Sequence, residues 1–164
     1  MSRAFVKEDG PDNEPLPDLP ISPHPNYVTR RGLRSLQDRL TATQAELAAL
    51  KARAERLDRT PEKAAERDIR YLDARLKSAI PVESPADPAE VAFATAVTVA
   101  DEDGAEARYE IVGEDEADAG AGRIAPQSPL ARALIGAGVG DLVVWRRPAG
   151  AVELEVLAIA GIGE

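Results

Sequence analysis

The sequence contains no cysteine among its 164 residues, and it contains one histidine, His24. The missing cysteine excludes disulfides, thiolate metal ligands and a cysteine nucleophile. Because the single histidine lies in a proline-rich segment, we expect neither multi-histidine metal sites nor histidine-based catalysis. A serine nucleophile has no evident base, and no phosphate-binding glycine loop follows a strand. The chain is therefore not predicted to be an enzyme with its own catalytic residues or cofactor.

Long apolar segments are missing as well. The sequence has no uninterrupted apolar run of about 18 residues, the length needed to span a bilayer. The N-terminal string MSRAFVKEDG lacks the apolar core of a signal peptide. We therefore expect a cytoplasmic protein without membrane contact.

Charge is distributed unevenly along the chain, whose net charge is −9. Residues 1–26 carry two basic and five acidic side chains, and residues 27–80 carry thirteen basic and eight acidic ones. Residues 81–164 carry five basic and sixteen acidic side chains. The basic middle segment could approach nucleic acid, whereas the acidic C-terminal segment would suit a basic protein surface.

The N-terminal half divides into a tail and a long helix. Residues 1–26 contain six prolines and several acids, which predicts a disordered or extended tail. Residues 27–57 predict one helix with Thr29 as its N-cap. Its apolar seam has alternating spacings of three and four residues and comprises Leu33, Leu36, Leu40, Thr43, Leu47, Leu50, Ala54 and Leu57.

A second helix is predicted over residues 61–80. Thr60 would be its N-cap, Pro61 its first residue and Glu62 an acid of its first turn. Because about three residues separate the two helices, they should fold back on each other. Residues 27–81 are therefore predicted to form an antiparallel coiled-coil hairpin, in whose tip Asp58 has no evident structural role. The tip residues are Asp58, Arg59 and Glu62.

In the C-terminal half, the spacing of apolar residues changes from a helical to a strand pattern. Residues 82–90 predict a linker, and residues 91–164 predict a small antiparallel sheet with one short helix, which makes the chain an α+β protein. The short helix, residues 130–135, follows the cap signal Ser128-Pro129. Strands are expected at 91–99, 107–112, 142–146 and 152–159. The acidic loop 114–122 could bind a cation weakly, but we expect it to be solvated.

Three strings carry a family resemblance. YVTRRGLRSLQDRL, from Tyr27 to Leu40, resembles the start of the hairpin in the Gre transcription elongation factors. YEIVGEDEAD and SPLARALIGAGVGDLVVW resemble that family's C-terminal domain, and they occur in the family's order. The resemblance covers residues 27–164 and leaves the tail outside.

The resemblance implies a coiled-coil hairpin followed by an FKBP-like domain. It also implies that the chain binds bacterial RNA polymerase, with the C-terminal domain on the rim of the secondary channel and the hairpin in the channel. The implied docking residues are Gln127, Ser128, Pro129 and Arg132, although Gln127 stands where the family often has Asp or Asn. The basic hairpin could contact transcript RNA, and we expect a monomer.

The tip departs from the family. Cleavage-competent members are expected to carry a Gly-Asp-x-x-Glu-Asn type motif whose two acids help hold a second Mg²⁺ in the polymerase active site. This sequence lacks the motif and has a shorter hairpin, as in the short-hairpin, Rnk-type regulators. Asp58 and Glu62 are weak metal candidates, so we expect a regulator of elongation without strong transcript cleavage. Alternatives are an active cleavage factor that uses Asp58, Glu62 and the polymerase's Mg²⁺, or a nucleotide-metabolism interaction protein that does not bind polymerase.

Overall fold

The computed structural model describes residues 13–163, which form two compact units. The helical unit comprises residues 13–23 and 37–77, and the sheet unit comprises residues 24–36 and 78–163. Within residues 13–163, no helix is both long enough and apolar enough to cross a membrane. The mixture of helices and a separate sheet confirms the predicted α+β class.

The two long helices are shorter than predicted. Helix α1 spans Arg30–Lys51 and helix α2 spans Thr60–Ser78. The predicted cap of α1 is confirmed, because the Gly32 backbone N–H donates to Thr29 Oγ1 at 2.9 Å. The helix ends six residues earlier than predicted, so the connection is residues 52–59 rather than about three residues.

The apolar seam of α1 is confirmed as far as Leu50. Between residues 33 and 50, Leu36 is buried and the positions partly shielded from solvent are Leu33, Leu40, Thr43, Leu47 and Leu50, while all others are exposed. Ala54 and Leu57 were predicted to extend it, but they lie in the connection, where Leu57 is 94% exposed. Lys51 Nζ, in the last turn of α1, lies 3.2 Å from Glu66 Oε1 near the start of α2. The last turn of α1 is therefore in contact with α2 within the helical unit.

The described part of the tail has little regular secondary structure. Residues 15–22 contain no helix or strand. This agrees with the prediction of a tail without regular secondary structure. This part of the tail contacts α2, because Arg70 Nε donates to Asp18 Oδ1 at 2.6 Å. Residues 1–12, which belong to the same predicted tail, lie outside the described residues.

A short parallel pairing that the sequence did not predict closes the base of the helical segment. Strand β1, Tyr27–Val28, pairs in parallel with β2, Ile80–Pro81. Residue 27 was assigned to the first helix and residue 80 to the second, so both helices were predicted too long. The Ile80 N–H donates to the Asn26 carbonyl at 2.8 Å, and the Val82 N–H donates to the Val28 carbonyl at 2.9 Å.

The main sheet has five strands in the order β5-β4-β3-β7-β6. Their bounds are β3, Thr95–Ala100; β4, Glu106–Ile111; β5, Arg123–Ile124; β6, Leu142–Trp145; and β7, Val152–Gly161. Every pairing is antiparallel except that of β4 with β5, which is parallel. The sheet was predicted to be wholly antiparallel, and the two-residue strand β5 was not predicted.

Strand β3 begins four residues later than predicted. Ala94 adopts a φ of 63°, a left-handed backbone conformation that interrupts an extended strand. The Thr95 hydroxyl donates to the Ala92 carbonyl at 2.8 Å, and the Val91 N–H donates to the Ala137 carbonyl. Val91 is therefore held by the segment after the short helix, whereas the Ala94 N–H donates to the carbonyl of Ile111 in β4 at 2.9 Å.

Helix α3, Pro129–Leu134, covers one face of the sheet. The predicted cap is confirmed, since the Ala131 N–H donates to Ser128 Oγ at 3.3 Å. The helix contributes Leu130, Ala131 and Leu134 to the main core, whose other buried members are Val91, Val97, Val99, Ile111, Ile124, Ala137, Leu154 and Val156. Its position fixes the loop that precedes it against the sheet.

Candidate functional site

The helix connection is organised around a buried carboxylate. Glu62 has 0% of its side chain exposed, although the sequence indicated only an acid in the first turn of the second helix. Arg56 donates to it twice, from Nε to Oε1 at 2.8 Å and from Nη2 to Oε2 at 2.6 Å. Arg59 Nε lies 3.4 Å from Oε2, and Arg53 Nη2 lies 4.0 Å from Oε1. Glu62 is thus surrounded by guanidinium groups.

This arrangement keeps Glu62 ionised. The hydrogen bonds from Arg56 lower the pKa of the Glu62 carboxyl to about 2, against the opposing effect of desolvation. The same pair raises the pKa of Arg56. Two parallel donors from one guanidinium to one carboxylate form a charge-assisted, geometrically specific pair. Glu62 is therefore a structural anion that holds the connection.

Asp58 also has a structural role, contrary to the prediction that it had none. Its Oδ1 accepts a hydrogen bond of 2.9 Å from the backbone N–H of Thr60, the first residue of α2. This hydrogen bond lowers the pKa of Asp58. Thr60 was predicted to cap α2, but Thr60 is itself helical and Asp58 satisfies its N–H.

These positions do not suit a metal ion. Within residues 13–163, no group of three or more His, Cys, Asp or Glu residues could hold one. Mg²⁺ binds oxygen ligands at about 2.1 Å in octahedral geometry. The Glu62 carboxylate is buried and bound by Arg56, and the Asp58 carboxylate is engaged with the backbone. The two weak metal candidates therefore do not fit Mg²⁺ in this arrangement.

The predicted docking residues lie in one short stretch that comprises the end of the loop before α3 and the first turn of that helix. Ser128 caps the helix, Pro129 is its first residue, and the side chain of Arg132 is exposed on its surface. Gln127 Oε1 is buried and accepts no hydrogen bond from the part of the chain that the structure describes. The sequence suggested that this amide would supply a surface contact, but its oxygen is enclosed here.

An apolar groove adjoins this loop, and no pattern in the sequence indicated it. It has a volume of about 360 Å³ and is lined by Tyr109, Ala119, Ile124, Ser128, Pro129, Leu130, Trp145, Arg146, Arg147 and Pro148. The Arg147 guanidinium lies 5.3 Å from the centroid of the Trp145 ring, a distance typical of a cation–π contact. The groove joins β4, β6 and the start of α3, which are far apart in sequence.

The start of α1 is fastened to the acidic loop of the sheet unit. The Thr29 hydroxyl lies 2.6 Å from Glu116 Oε1, to which it donates, and Arg31 Nη2 lies 3.5 Å from the same oxygen. Arg31 Nη2 also donates to Glu110 Oε2 at 2.6 Å. The side chain of Glu116 is only 9% exposed, so the prediction of a solvated loop is wrong at this residue.

These contacts make Arg31 and Glu110 a charged pair. The hydrogen bond with Glu110 raises the pKa of Arg31. Burial acts to raise the pKa of Glu110, but the hydrogen bonds from Arg31 and Arg108 outweigh it and leave that pKa lowered. The family-like residues Thr29 and Gly32 at the start of α1 are therefore explained by a junction within the sheet unit.

Comparison with known proteins shows the family to which the chain belongs. The family model described as "Transcription elongation factor, GreA/GreB, C-term" matches residues 86–161. The transcription elongation factor GreA of Pseudomonas syringae pv. tomato is 35% identical over 153 residues, which cover 82% of this chain and 97% of that protein. GreA of Pseudomonas aeruginosa is 39% identical over 134 residues, covering 79% of this chain and 85% of the relative. GreB of the same organism is 49% identical over 83 residues, about half of each chain.

Proposed function

Because the chain belongs to the GreA/GreB family of transcription elongation factors, we propose that it binds bacterial RNA polymerase at the secondary channel and regulates elongation without strongly stimulating transcript cleavage. The family assignment rests on relatives that this chain covers over most of their length. The absence of strong cleavage rests on the state of Glu62 and Asp58.

The proposed insertion element is an antiparallel coiled-coil hairpin made of α1 and α2. The shielded positions of α1 from Leu33 to Leu50 follow the spacing of a heptad seam, which supports this proposal. The sheet with α3 on one face is the proposed FKBP-like docking domain. Residues 81–164 carry sixteen acidic and five basic side chains, a balance that suits a basic rim on the partner.

We propose that the chain docks through the end of the loop before α3 and the start of that helix. The residues concerned are Gln127, Ser128, Pro129 and Arg132. Ser128 and Pro129 fix the start of the helix, while the exposed Arg132 is available to a partner. The adjoining apolar groove offers Trp145 and Tyr109 as buried-contact anchors, the residue types that contribute most to protein interfaces. The docking surface thus combines an apolar groove with a charged edge.

The single observation that carries the proposed regulatory role is the Arg56–Glu62 pair. A carboxylate must be free to exchange its partner for a metal if it is to bring Mg²⁺ to an active site. Releasing Glu62 would leave Arg56, Arg59 and Arg53 beside a cation, which is electrostatically unfavourable. We therefore propose that the tip occupies the channel and excludes other factors rather than supplying metal ligands.

The remaining parts of the proposal follow from this mode of action. The protein is proposed to be a cytoplasmic monomer that has neither its own catalytic residues nor a cofactor. The basic residues of the helical segment are proposed to contact transcript RNA. Mg²⁺ would be relevant only as the polymerase's own ion.

Binding can be tested with purified bacterial core polymerase and the full chain. We expect co-elution of the wild type and weaker binding of Arg132→Ala. The control is Arg30→Ala, which removes another exposed arginine of the sheet unit, one that pairs with Glu83 at 2.8 Å. No association of the wild type with core polymerase would contradict the proposal and favour a polymerase-independent binding module.

Cleavage can be tested on stalled, backtracked elongation complexes with Mg²⁺. We expect the protein to leave the rate of transcript cleavage unchanged while it slows cleavage by an added active factor. Strong stimulation that is lost in Asp58→Ala would instead establish the active cleavage factor. A control with Glu55→Ala, an exposed acid of the same connection, separates a specific effect from loss of charge.

A further inference from the structure

The described part of the tail lies against α2 and binds its arginine side chains. Arg70 donates from Nε to Asp18 Oδ1 at 2.6 Å and from Nη2 to the Leu16 carbonyl at 2.8 Å. Nearer the tip, Arg59 Nη1 donates to Asn13 Oδ1 at 3.0 Å. The tail therefore engages both donors on one edge of the Arg70 guanidinium and reaches the helix connection.

Apolar contacts accompany these hydrogen bonds. Leu19 and Ile21 of the tail line a cavity of about 90 Å³ with Arg70, Tyr71 and Ala74 of α2. Leu19 is partly buried, so the segment is held by more than exposed charges. All of these residues belong to the helical unit.

The covered surface has the chemistry of a single-stranded nucleic-acid site. A guanidinium that presents two parallel donors matches the geometry of a phosphate group. Tyr71 lies beside Arg70 in the same cavity and offers an aromatic face on which a base could stack. Arg59 and Arg70 are eleven positions apart, or roughly 16 Å along a helix axis, so one strand could contact both.

We propose that residues 13–21 form an intramolecular strap that competes with single-stranded RNA for Arg70 and Tyr71 on α2 and for Arg59 just before it. The strap uses a carboxylate and a carbonyl where RNA would use phosphate oxygens. Its acidic residues Glu14 and Asp18 add unfavourable charge for any RNA that approaches while it is bound. The strap thus controls when Arg59, Arg70 and Tyr71 are accessible to RNA. The inference rests on the RNA contact named in the proposed function, but its test needs no polymerase.

The first experiment measures binding of a short single-stranded RNA to full-length variants at low salt. Leu19→Ser leaves the charge unchanged and should loosen the strap, so we expect tighter RNA binding. Asp18→Asn should raise the affinity by up to about fivefold, the range that corresponds to an exposed ion pair. Its matched control, Glu14→Gln, removes the same charge from an exposed position of the tail and should have a smaller effect.

A further variant tests the surface beneath the strap. Arg70→Gln removes the residue that binds both the strap and the proposed RNA, so it should lower RNA affinity even though the strap is also weakened. RNA binding that is equal in the wild type, Leu19→Ser and Asp18→Asn would overturn the competition. Failure of RNA to bind any variant would overturn it too. Neither result bears on the proposed binding to polymerase, which is tested separately.

The second experiment observes the strap directly. Because the sequence has no cysteine, a spin label on Ala74→Cys is the only thiol-attached probe. We expect it to broaden the backbone amide signals of Leu16, Asp18, Leu19 and Ile21, since Pro17 and Pro20 have no N–H. The broadening should decrease when RNA is added. Broadening that persists with RNA bound would overturn the inference. Loss of broadening only on addition of core polymerase would also overturn it and would identify a protein competitor.

Discussion

Arg56 holds the buried carboxylate of Glu62 through two hydrogen bonds of 2.8 and 2.6 Å. The pair joins the connection to the first turn of α2 and is extended by Arg59, whose Nε lies 3.4 Å from Glu62 Oε2. An acid at the tip of such a helical pair would ordinarily be a candidate for metal binding. Here its position within the arginine cluster makes it a structural element.

Acid should therefore weaken the helix connection. The pKa of Glu62 is lowered to about 2 in the folded chain, whereas its ordinary value is 4.5. A lowered pKa stabilises the folded state above the ordinary value, and this stabilisation is lost as pH falls from about 4.5 towards 2. We expect the protection factors of the amide hydrogens in residues 52–62, that is, their exchange corrected for the intrinsic rate at each pH, to decrease over this range in the wild type.

Glu62→Gln should abolish that pH dependence. The amide lacks the charge that Arg56 and Arg59 require, so protection of the connection should already be low at neutral pH. Glu55→Gln is the matched control, because it removes one carboxylate from an exposed position in the same connection. Equal pH profiles for the wild type and Glu62→Gln would contradict the structural role of Glu62.

Thr29→Ala should destabilise the sheet unit. The substitution removes the acceptor of the Gly32 N–H and the donor to Glu116, and loss of an N-cap typically costs about 1–2 kcal/mol. Urea unfolding provides the measurement. Thr41→Ala should change stability by less than about 0.5 kcal/mol, because the Thr41 hydroxyl is exposed and donates to the Gln37 carbonyl within α1. Equal effects of the two variants would refute the assigned role of Thr29.

Gly32→Ala should not increase the stability of the fold in the way that replacing a helical glycine by alanine usually does. A Cβ at Gly32 would lie 3.1 Å from Glu116 Oε2 and 3.2 Å from Thr29 Oγ1, and these two side chains hold each other. The helix-propensity gain of about 1 kcal/mol should be cancelled or exceeded by this crowding. Thermal unfolding of Gly32→Ala beside Ser35→Ala, an exposed position of the same helix, measures the difference. A clear increase in the Tm of Gly32→Ala would show that the junction relaxes freely.

Arg31→Gln should cost more stability than Arg30→Gln. The first removes a 2.6 Å contact with Glu110, whose side chain is 13% exposed, and the expected loss is about 1 kcal/mol. The second removes a pair whose side chains are 53% and 76% exposed, so a loss below about 0.5 kcal/mol is expected. Denaturant titrations at low and high salt distinguish them, since salt should screen the Arg30 pair more strongly. The reverse order of the two losses would be incompatible with the geometry.

Local signals in the sequence predicted the parts of the fold that depend on nearby residues. The caps Thr29 and Ser128 act on N–H groups three residues ahead, and the seam from Leu33 to Leu50 is a property of one helix. A short pattern contains the information for each of these features. The docking residues Gln127, Ser128, Pro129 and Arg132 were implied by the family resemblance and stay a prediction, whereas enclosure of the Gln127 oxygen depends on packing.

The features that were missed depend on residues that are far apart in sequence or on competition between charges. β1 pairs with β2 across more than fifty residues, and Thr29 reaches Glu116 across 87 positions. Arg53 and Arg56 are good helix formers, yet their side chains turn towards Glu62 and the Leu50 carbonyl, and α1 ends at Lys51. Propensity alone therefore overestimated the length of the helix.

The pairing of β1 with β2 makes the two ends of the helical segment neighbours. The chain passes from the sheet unit to the helical unit after residue 36 and returns at residue 78, and β1 and β2 both belong to the sheet unit. Turns can therefore be added to or removed from both helices in matched amounts without a change of register in the five-stranded sheet. The lengths of α1 and α2 are in this sense exchangeable, and grafting a longer or shorter pair of helices between these strands should preserve the sheet unit.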